Sequence, residues 1–187
     1  MKNKILIGLG LVALLAESTA LAEKKYDPGA SDTEIKIGQT MPYSGPNSAY
    51  GTFGRAQAGY FKMINDRGGI NGRKINFISL DDAFSPPRTV EQVRKLVEEE
   101  QVLILFQNLG TATNSAVHKY MNAKKVPQLF VSTGATKWGD PEHFPWTMGW
   151  QPNYQTEEIS MPSTCCRINQ TRESQCYTRM MTLEKIT

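Results

Sequence analysis

Short apolar runs alternate along this chain with longer segments in which apolar residues recur at helical spacing. The continuous apolar run at residues 102–106 is typical of a strand that is buried on both faces of a sheet. Strands separated by helices need crossover connections, which are right-handed and leave the strands parallel. The sequence therefore predicts an α/β fold with a doubly wound parallel sheet. The predicted strands are residues 35–38, 75–80, 102–106 and 128–131.

Three helices are predicted between these strands from the spacing of their apolar residues. Gly68 closes the first helix, and Asn71-Gly72 is typical of the turn after it. Ser85 followed by Pro86 is typical of an N-cap and a first helical position, which places the start of the second helix. The side chains predicted to face the sheet are Phe53, Ala56, Tyr60 and Ile64 in the first helix, Val90, Val93, Leu96 and Val97 in the second, and Val117, Tyr120 and Met121 in the third, at 111–124.

The N-terminus has the three parts of a secretory signal peptide in the usual order. Lys2 and Lys4 precede an apolar run at residues 5–15, and an Ala-Leu-Ala site follows at residues 20–22. A transmembrane anchor is the alternative, but the run is shorter than the roughly 18–20 residues that span a bilayer. We therefore expect residues 1–22 to be a cleaved signal peptide. The mature chain is expected in the periplasm, without a lipid anchor because no cysteine lies near the cleavage site.

Composition and motif spacing argue against a nucleic-acid partner and against dinucleotide chemistry. The formal net charge is only +3, and no basic cluster is interleaved with aromatic residues. Gly45, Gly51 and Gly54 do not have the spacing of a dinucleotide-binding fingerprint. We therefore predict neither a nucleic-acid ligand nor a nucleotide cofactor.

The titratable residues also give little support to an enzymatic reading. His118 lies within a predicted helix and His143 in a proline-rich loop, without a third partner for a catalytic triad, so both are expected at the surface. Asp81 and Asp82 are neighbours at a strand end, where their side chains would point to opposite faces. We predict a hydrogen-bonding loop there, not a metal site or an acid–base pair.

A ligand site is expected at the carboxyl ends of the strands, because open α/β sheets bind ligands there. These segments are rich in Ser, Thr and Gly, which suit a small polar head group but supply neither a nucleophile nor a base. Thr111 and Thr113 begin a helix, where free amides and the helix dipole favour a carboxylate. The alternative for each threonine is a simple N-cap. The four segments are residues 41–50, 81–83, 108–113 and 132–136.

Several of these segments together resemble the leucine/isoleucine/valine-binding proteins, the periplasmic receptors of ATP-driven amino-acid importers. The resemblance covers roughly residues 35–157 and is specific only in combination. It rests on Ser44-Gly45-Pro46, Tyr50-Gly51, the Ile-Asn-Asp-Arg-Gly-Gly-Ile-Asn-Gly segment at 64–72, Asp81-Asp82, and Ser-Thr-Gly-Ala-Thr at 132–136.

The resemblance implies two Rossmann-like lobes that close on a small-molecule ligand, and a membrane permease of an ABC transporter as partner. Thr111 or its neighbour Thr113 would take the α-carboxylate of an amino acid. In the 132–136 segment the Gly134 carbonyl, with Ala135 and Thr136, would hold the α-ammonium group, and Tyr50 would wall the side-chain pocket. No catalytic role, cofactor or metal is implied.

Other readings of the same lobe stay open at the level of sequence. The family prototype has a disulfide at positions that fall here near Ala83 and Gly110, so that bond is absent. Receptors for amides, urea and other polar solutes share the pattern. A sensor or regulator built on the same lobe is an alternative function, and a Rossmann-type enzyme is a weaker one.

The last part of the chain differs in character from the rest. All three cysteines lie in the last 23 residues, and residues 161–187 show no apolar period. In another reading frame the codons of Cys165 and Cys166 force Leu, Met or Val, and the whole tail can encode a helix end, a turn, a strand and an acidic loop. We therefore expect residues 23–158 to be the N-terminal lobe, residues 159–187 to be an aberrant, frameshifted tail, and the second lobe to be missing, with binding impaired.

Overall fold

A parallel β-sheet with helices on both faces organises the part of the chain that the computed structural model describes, residues 25–160. The strand order is β2-β1-β3-β4-β5, and every pairing between neighbours is parallel. The strands are β1 (Glu34–Met41), β2 (Lys74–Asp81), β3 (Ile104–Phe106), β4 (Gln128–Val131) and β5 (Thr147–Gly149). The predicted fold class is confirmed. The short fifth strand, which carries no apolar alternation, was not predicted.

The helices lie between the strands as the periodicity predicts. They are α1 (Gly51–Asp66), α2 (Pro86–Arg94), α3 (Thr111–Lys124) and α4 (Tyr154–Ser160), with short 3₁₀ helices at Ser48–Tyr50 and Thr136–Gly139. Ser85 is the N-cap residue of α2 and Pro86 its first residue, as predicted. α2 continues into one π-helical segment, Lys95–Glu99. Within residues 25–160 no helix is long and apolar enough to cross a membrane.

The main core lies between the sheet and the pair α2 and α3. Its fully buried members are Val93 and Leu96 from the α2 segment, Leu105 from β3, and Val117 and Met121 from α3, with Val102 beside them. Val90, Val97 and Tyr120 pack against this cluster. The faces predicted for the second and third helices are therefore confirmed.

The face predicted for α1 is wrong for three of its four residues. Phe53 and Tyr60 are 54% and 58% exposed, Ala56 is exposed, and only Ile64 is partly buried. The buried positions of α1 include Gly54, where an added Cβ would lie 2.1 Å from the hydroxyl of Tyr43. The helix approaches β1 closely at Gly54, and the face that contacts the sheet also includes Gln57 and Phe61, whose ring lies 5.0 Å from that of Phe77. Phe53 and Tyr60 are rotated away from the sheet.

His118 is buried, so its predicted surface position is wrong. Its ring stacks on Phe144 with 3.9 Å between centroids and meets Trp138 edge-on at 4.9 Å. The 136–144 segment, which has no counterpart in the predicted elements, folds over α3 and covers the imidazole. His143 is exposed, as expected, and its Nδ1 lies 2.9 Å from Asp140.

Candidate functional site

The loop after β1 is held to the end of β2 by one carboxylate. Asp81 Oδ1 accepts hydrogen bonds from the amides of Tyr43 (2.9 Å), Ser44 (3.1 Å) and Ala83 (3.0 Å), and its Oδ2 accepts one from the Ser44 hydroxyl. Burial alone would raise the pKa of Asp81, but these hydrogen bonds outweigh it, so the pKa lies below the usual carboxyl value. Asp81 is therefore an anion that organises the loop.

Asp82 makes its hydrogen bonds on the other side of the strand end. It is fully buried, and it accepts hydrogen bonds from the amide of Phe84 and the hydroxyl of Thr89, both at 2.9 Å. Burial raises the pKa of Asp82, and these hydrogen bonds partly oppose the rise. The predicted hydrogen-bonding loop is confirmed. Among residues 25–160 no group of three or more His, Cys, Asp or Glu side chains is placed to hold a metal ion.

The turn from β3 to α3 presents the helix N-terminus at the same edge. Gly110, the N-cap residue, has φ 96°, a backbone conformation that favours glycine. An added Cβ there would lie 2.5 Å from the ring of Phe84. The amide of Asn114 donates to the Gly110 carbonyl at 3.2 Å, so the amides of the preceding first turn have no helical acceptor. Those amides can receive an anion.

A polar network on the α1 side supports this turn from beneath. Gln39 Nε2 donates to Gln57 at 2.5 Å and to the Phe106 carbonyl at 3.1 Å, while Ser79 donates to Gln39 at 2.9 Å. Gln57 also donates to the side chain of Gln107, which follows β3. The network ties α1, β1 and β2 to the end of β3, where the turn starts.

Two hydroxyls meet beside the helix N-terminus. The side chain of Thr111, the first residue of α3, is hydrogen-bonded to that of Thr133, which follows β4. Thr133 also lies 2.9 Å from the hydroxyl of Tyr154. Backbone hydrogen bonds fix the two loops, since the Gly110 amide donates to the Ser132 carbonyl at 3.2 Å. The carboxyl ends of β3 and β4 thus form one hydroxyl cluster, Thr111, Thr133 and Tyr154.

The remaining predicted residues lie in different environments. The Thr113 side chain is buried and donates to the carbonyls of Leu109 and Gly110, so its hydroxyl faces the loop. The N-cap alternative is wrong for both threonines, because Gly110 is the N-cap residue of α3 and no side chain caps the helix. Ala135 is buried, and Thr136 is exposed at the start of a 3₁₀ helix. Tyr50 is exposed, and its ring lies 6.1 Å from that of Phe53.

The backbone around Gly134 is covered by the chain that follows β5. The Gly134 carbonyl accepts a hydrogen bond from the Tyr154 amide at 2.8 Å, and an added Cβ would lie 2.7 Å from the Tyr154 ring. Sequence reasoning did not single out Thr133 or Tyr154. Thr133 stands inside the 132–136 segment that drew attention, whereas nothing in the sequence around Tyr154 indicates that it returns to this edge.

Comparison with known proteins identifies the family. Residues 34–159 match the periplasmic binding proteins, so the chain belongs to that family. It is 30% identical over 122 residues to the Leu/Ile/Val-binding protein of Escherichia coli, covering 64% of this chain and 30% of that protein. It is 33% identical over 92 residues to the leucine-, isoleucine-, valine-, threonine- and alanine-binding protein of Pseudomonas aeruginosa, covering 49% of this chain and 24% of that protein.

Solved structures show the same fold. A branched-chain amino-acid ABC transporter protein of Thermus thermophilus with bound valine superposes with a TM-score of 0.64 at 16% identity, covering 74% of this chain and 36% of that chain. A substrate-binding periplasmic protein of Ralstonia solanacearum gives 0.63 at 25% identity, covering 70% and 38%. Such neighbours have two lobes, and this chain covers about one of them. The chain spans less than a third of the length of the curated relatives it matches.

Proposed function

We propose that this chain forms one ligand-binding lobe of a periplasmic receptor that delivers a small amino acid, or a related polar solute, to the permease of an ABC importer. The observation that carries this proposal is the hydroxyl cluster beside the free amides of the α3 N-terminus. The names of the relatives at 30% and 33% identity both include leucine, isoleucine and valine as amino acids that are bound, which supports a ligand of that class.

The ligand carboxylate is proposed to lie at the first turn of α3. The helix dipole and the unpaired amides there favour an anion, and the Thr111 hydroxyl is positioned to donate to it. Thr133 would orient Thr111 through the hydroxyl pair. Thr113 would contribute its amide only, because its hydroxyl already donates to two carbonyls.

The ammonium group is proposed to lie against the 132–136 segment. The Gly134 carbonyl accepts one hydrogen bond from the Tyr154 amide and has a second lone pair for the ligand. Thr136 is exposed and could contact the ammonium group, and the buried Ala135 lies between Thr136 and Gly134. Tyr50 would contact the side chain of the ligand from the β1–α1 loop.

Binding by the described lobe on its own is expected to be weak. Hydrogen bonds at an open edge net only about 0.5–1.5 kcal/mol each, and association itself costs at least about 4 kcal/mol. A few such bonds from one lobe therefore predict millimolar affinity for a ligand such as leucine.

The proposal is tested by an NMR titration of the 187-residue chain with leucine. We expect the amide resonances of Thr111, Ala112 and Thr113 to shift in the millimolar range. Thr111→Val and Thr133→Val should each weaken binding by about tenfold, or about 1.4 kcal/mol. Thr33→Val is the matched control, at an exposed site just before the amino end of β1, opposite the strand ends that carry the proposed site; it should bind like the parent chain.

Two outcomes would contradict the proposal. Leucine shifts located away from the α3 N-terminus would place the ligand elsewhere. Equal affinity for leucine in the parent chain and in both threonine variants would show that the hydroxyl cluster does not contact the ligand.

A further inference from the structure

Tyr154 is held beside the hydroxyl cluster by contacts that do not involve its own hydroxyl. The Tyr154 amide donates to the Gly134 carbonyl at 2.8 Å, and the Tyr154 ring packs against a buried apolar cluster. The members of that cluster are Val131, Ala135 and Trp138. The Tyr154 hydroxyl therefore lies at a fixed position, 2.9 Å from the hydroxyl of Thr133.

The hydroxyl of Thr133 has three hydrogen-bond neighbours and only one proton. It is hydrogen-bonded to the hydroxyls of Thr111 and Tyr154, and the Ala135 amide donates to it at 3.4 Å. A hydroxyl donates once and accepts through two lone pairs. Since the Ala135 amide can only donate, it occupies one of these lone pairs. Thr133 must therefore donate to one of its two hydroxyl neighbours and accept from the other.

Two proton orders satisfy this count. In the first order, Tyr154 donates to Thr133 and Thr133 donates to Thr111. In the second order, both hydrogen bonds run the other way. Among the described residues the Thr111 hydroxyl has no other hydrogen-bond partner, so its proton is free in the first order and is donated to Thr133 in the second. The order therefore decides whether Thr111 offers a ligand a proton or a lone pair.

The phenol of Tyr154 favours the first order. A lone pair of a phenolic oxygen is delocalised into the ring, so a phenol is a stronger donor and a weaker acceptor than the hydroxyl of threonine. Donation from Tyr154 also polarises Thr133 and then Thr111 in the same direction, because hydrogen bonds in a chain strengthen one another. Thr133 is only 4% exposed, so water has little access to the middle of the chain.

We propose that Tyr154 is a positioning residue that sets this proton order, and that it thereby makes the site discriminate a carboxylate from a carboxamide. The inference rests on the proposed function, in which the head group of the ligand lies at the first turn of α3. The helix amides there are donors, and the first order adds the Thr111 hydroxyl as a further donor. Both oxygens of a carboxylate can accept from this set. The NH₂ group of a carboxamide is itself a donor, so it would face another donor and stay unpaired.

The inference is tested by NMR titration of the 187-residue chain with leucine and with leucinamide, which share a side chain and an ammonium group. The measured quantity is the ratio of their dissociation constants, leucinamide over leucine, from the amide shifts of residues 111–113. Tyr154→Phe should lower this ratio by about two- to tenfold, as expected for one hydrogen bond, because leucine binding weakens and leucinamide binding does not. A general loosening of the site would weaken both ligands and leave the ratio unchanged.

Further variants separate the hydroxyl chain from other effects. Tyr120→Phe is the matched control, because it removes a phenol hydroxyl that donates to Glu98 at 2.9 Å, and it should leave the ratio unchanged. Thr133→Val removes the middle of the chain and should lower the ratio as Tyr154→Phe does. Because Tyr154 acts only through Thr133, the double variant should have the same ratio as Thr133→Val alone.

The outcomes distinguish this inference from the function on which it rests. If leucine does not shift the amides of residues 111–113 in the parent chain, the proposed site and the role of Tyr154 are both wrong. If leucine binds there and Tyr154→Phe leaves the ratio unchanged, only the role of Tyr154 is wrong. Additive losses in the double variant would also overturn that role, because Tyr154 would then act on the ligand without Thr133.

Discussion

Burial of His118 between two aromatic rings connects α3 to the segment that follows β4. Trp138 and Phe144 enclose the imidazole, and within residues 25–160 its buried Nε2 has no hydrogen-bond partner. Burial lowers the pKa of His118, the charge of Lys137 lowers it further, and Asp140 partly opposes both. The imidazole is therefore neutral near neutral pH and acts as an aromatic packing residue.

The neutral state of His118 predicts a loss of stability in mild acid. The pKa in the unfolded chain is about 6.5 and the folded pKa is lower, so between the two values the unfolded chain binds the extra proton. The stability that neutral His118 contributes to the folded chain is fully present above about pH 6.5, and it is lost as the pH falls through the folded pKa. Urea unfolding of the parent chain and of His118→Phe, measured from about pH 7.5 to about pH 5, should show a smaller pH dependence in the variant.

His143→Gln is the control for that comparison. His143 is exposed, and its removal should leave the difference between parent and His118→Phe unchanged. Identical pH profiles for the parent chain and His118→Phe would mean that His118 does not contribute to the acid sensitivity.

At the scale of elements, the position of α1 depends on close approach at one glycine. Gly54 faces Tyr43, whose hydroxyl lies 2.6 Å from that of Ser79 on β2. Gln39 of β1 is also within 3.0 Å of an added Cβ at Gly54. The helix therefore packs closely against β1, and its Gln57 belongs to the polar network that contacts the β3–α3 turn.

Two alanine substitutions on α1 should have opposite effects. Gly54→Ala should lower the free energy of unfolding by about 1–3 kcal/mol, because the methyl group collides with Tyr43 in a packed site. Gly59→Ala should raise it by about 0.5–1 kcal/mol, because the site is open and alanine favours the helix. Chemical denaturation measures both free energies of unfolding. Equal effects of the two substitutions would exclude close packing at Gly54.

At the scale of the whole molecule, strand order determines where the loops meet. The order β2-β1-β3-β4-β5 reverses direction between β1 and β3, and ligands of open α/β sheets bind at such a point. The Asp81-held loop follows β1, and the α3 N-terminus follows β3. The sheet order and the hydroxyl cluster therefore both favour a site at the carboxyl ends of the strands.

Export is the prediction that concerns the whole chain. The charge, apolar run and Ala-Leu-Ala site at the N-terminus predict cleavage after Ala22, with the mature protein in the periplasm. N-terminal sequencing of periplasmic material should begin at Glu23. Ala22→Asp should block processing and retain the precursor, whereas Glu23→Gln, on the other side of the bond, should be processed normally. Periplasmic protein that still begins at Met1 would contradict the prediction.

Local periodicity in the sequence determined the fold class, the first four strand regions and the sheet-facing sides of α2 and α3. The bounds of α3 and β4 agree with the prediction. The signal peptide predicted at 1–22 and, from residue 161 on, the tail predicted at 159–187 lie outside the described residues. The proposed domain boundaries stay predictions.

Only the tertiary structure decided which side of α1 faces the sheet, that His118 is buried, and that Thr133 and Tyr154 join Thr111. The physical reason is the range of the interactions. Helical and strand periods are set by neighbours a few residues apart, so they can be recognised along the chain. Close approach at a glycine, an aromatic cover over a histidine and a contact between loops depend on segments that are distant in sequence and come together only when the sheet has formed.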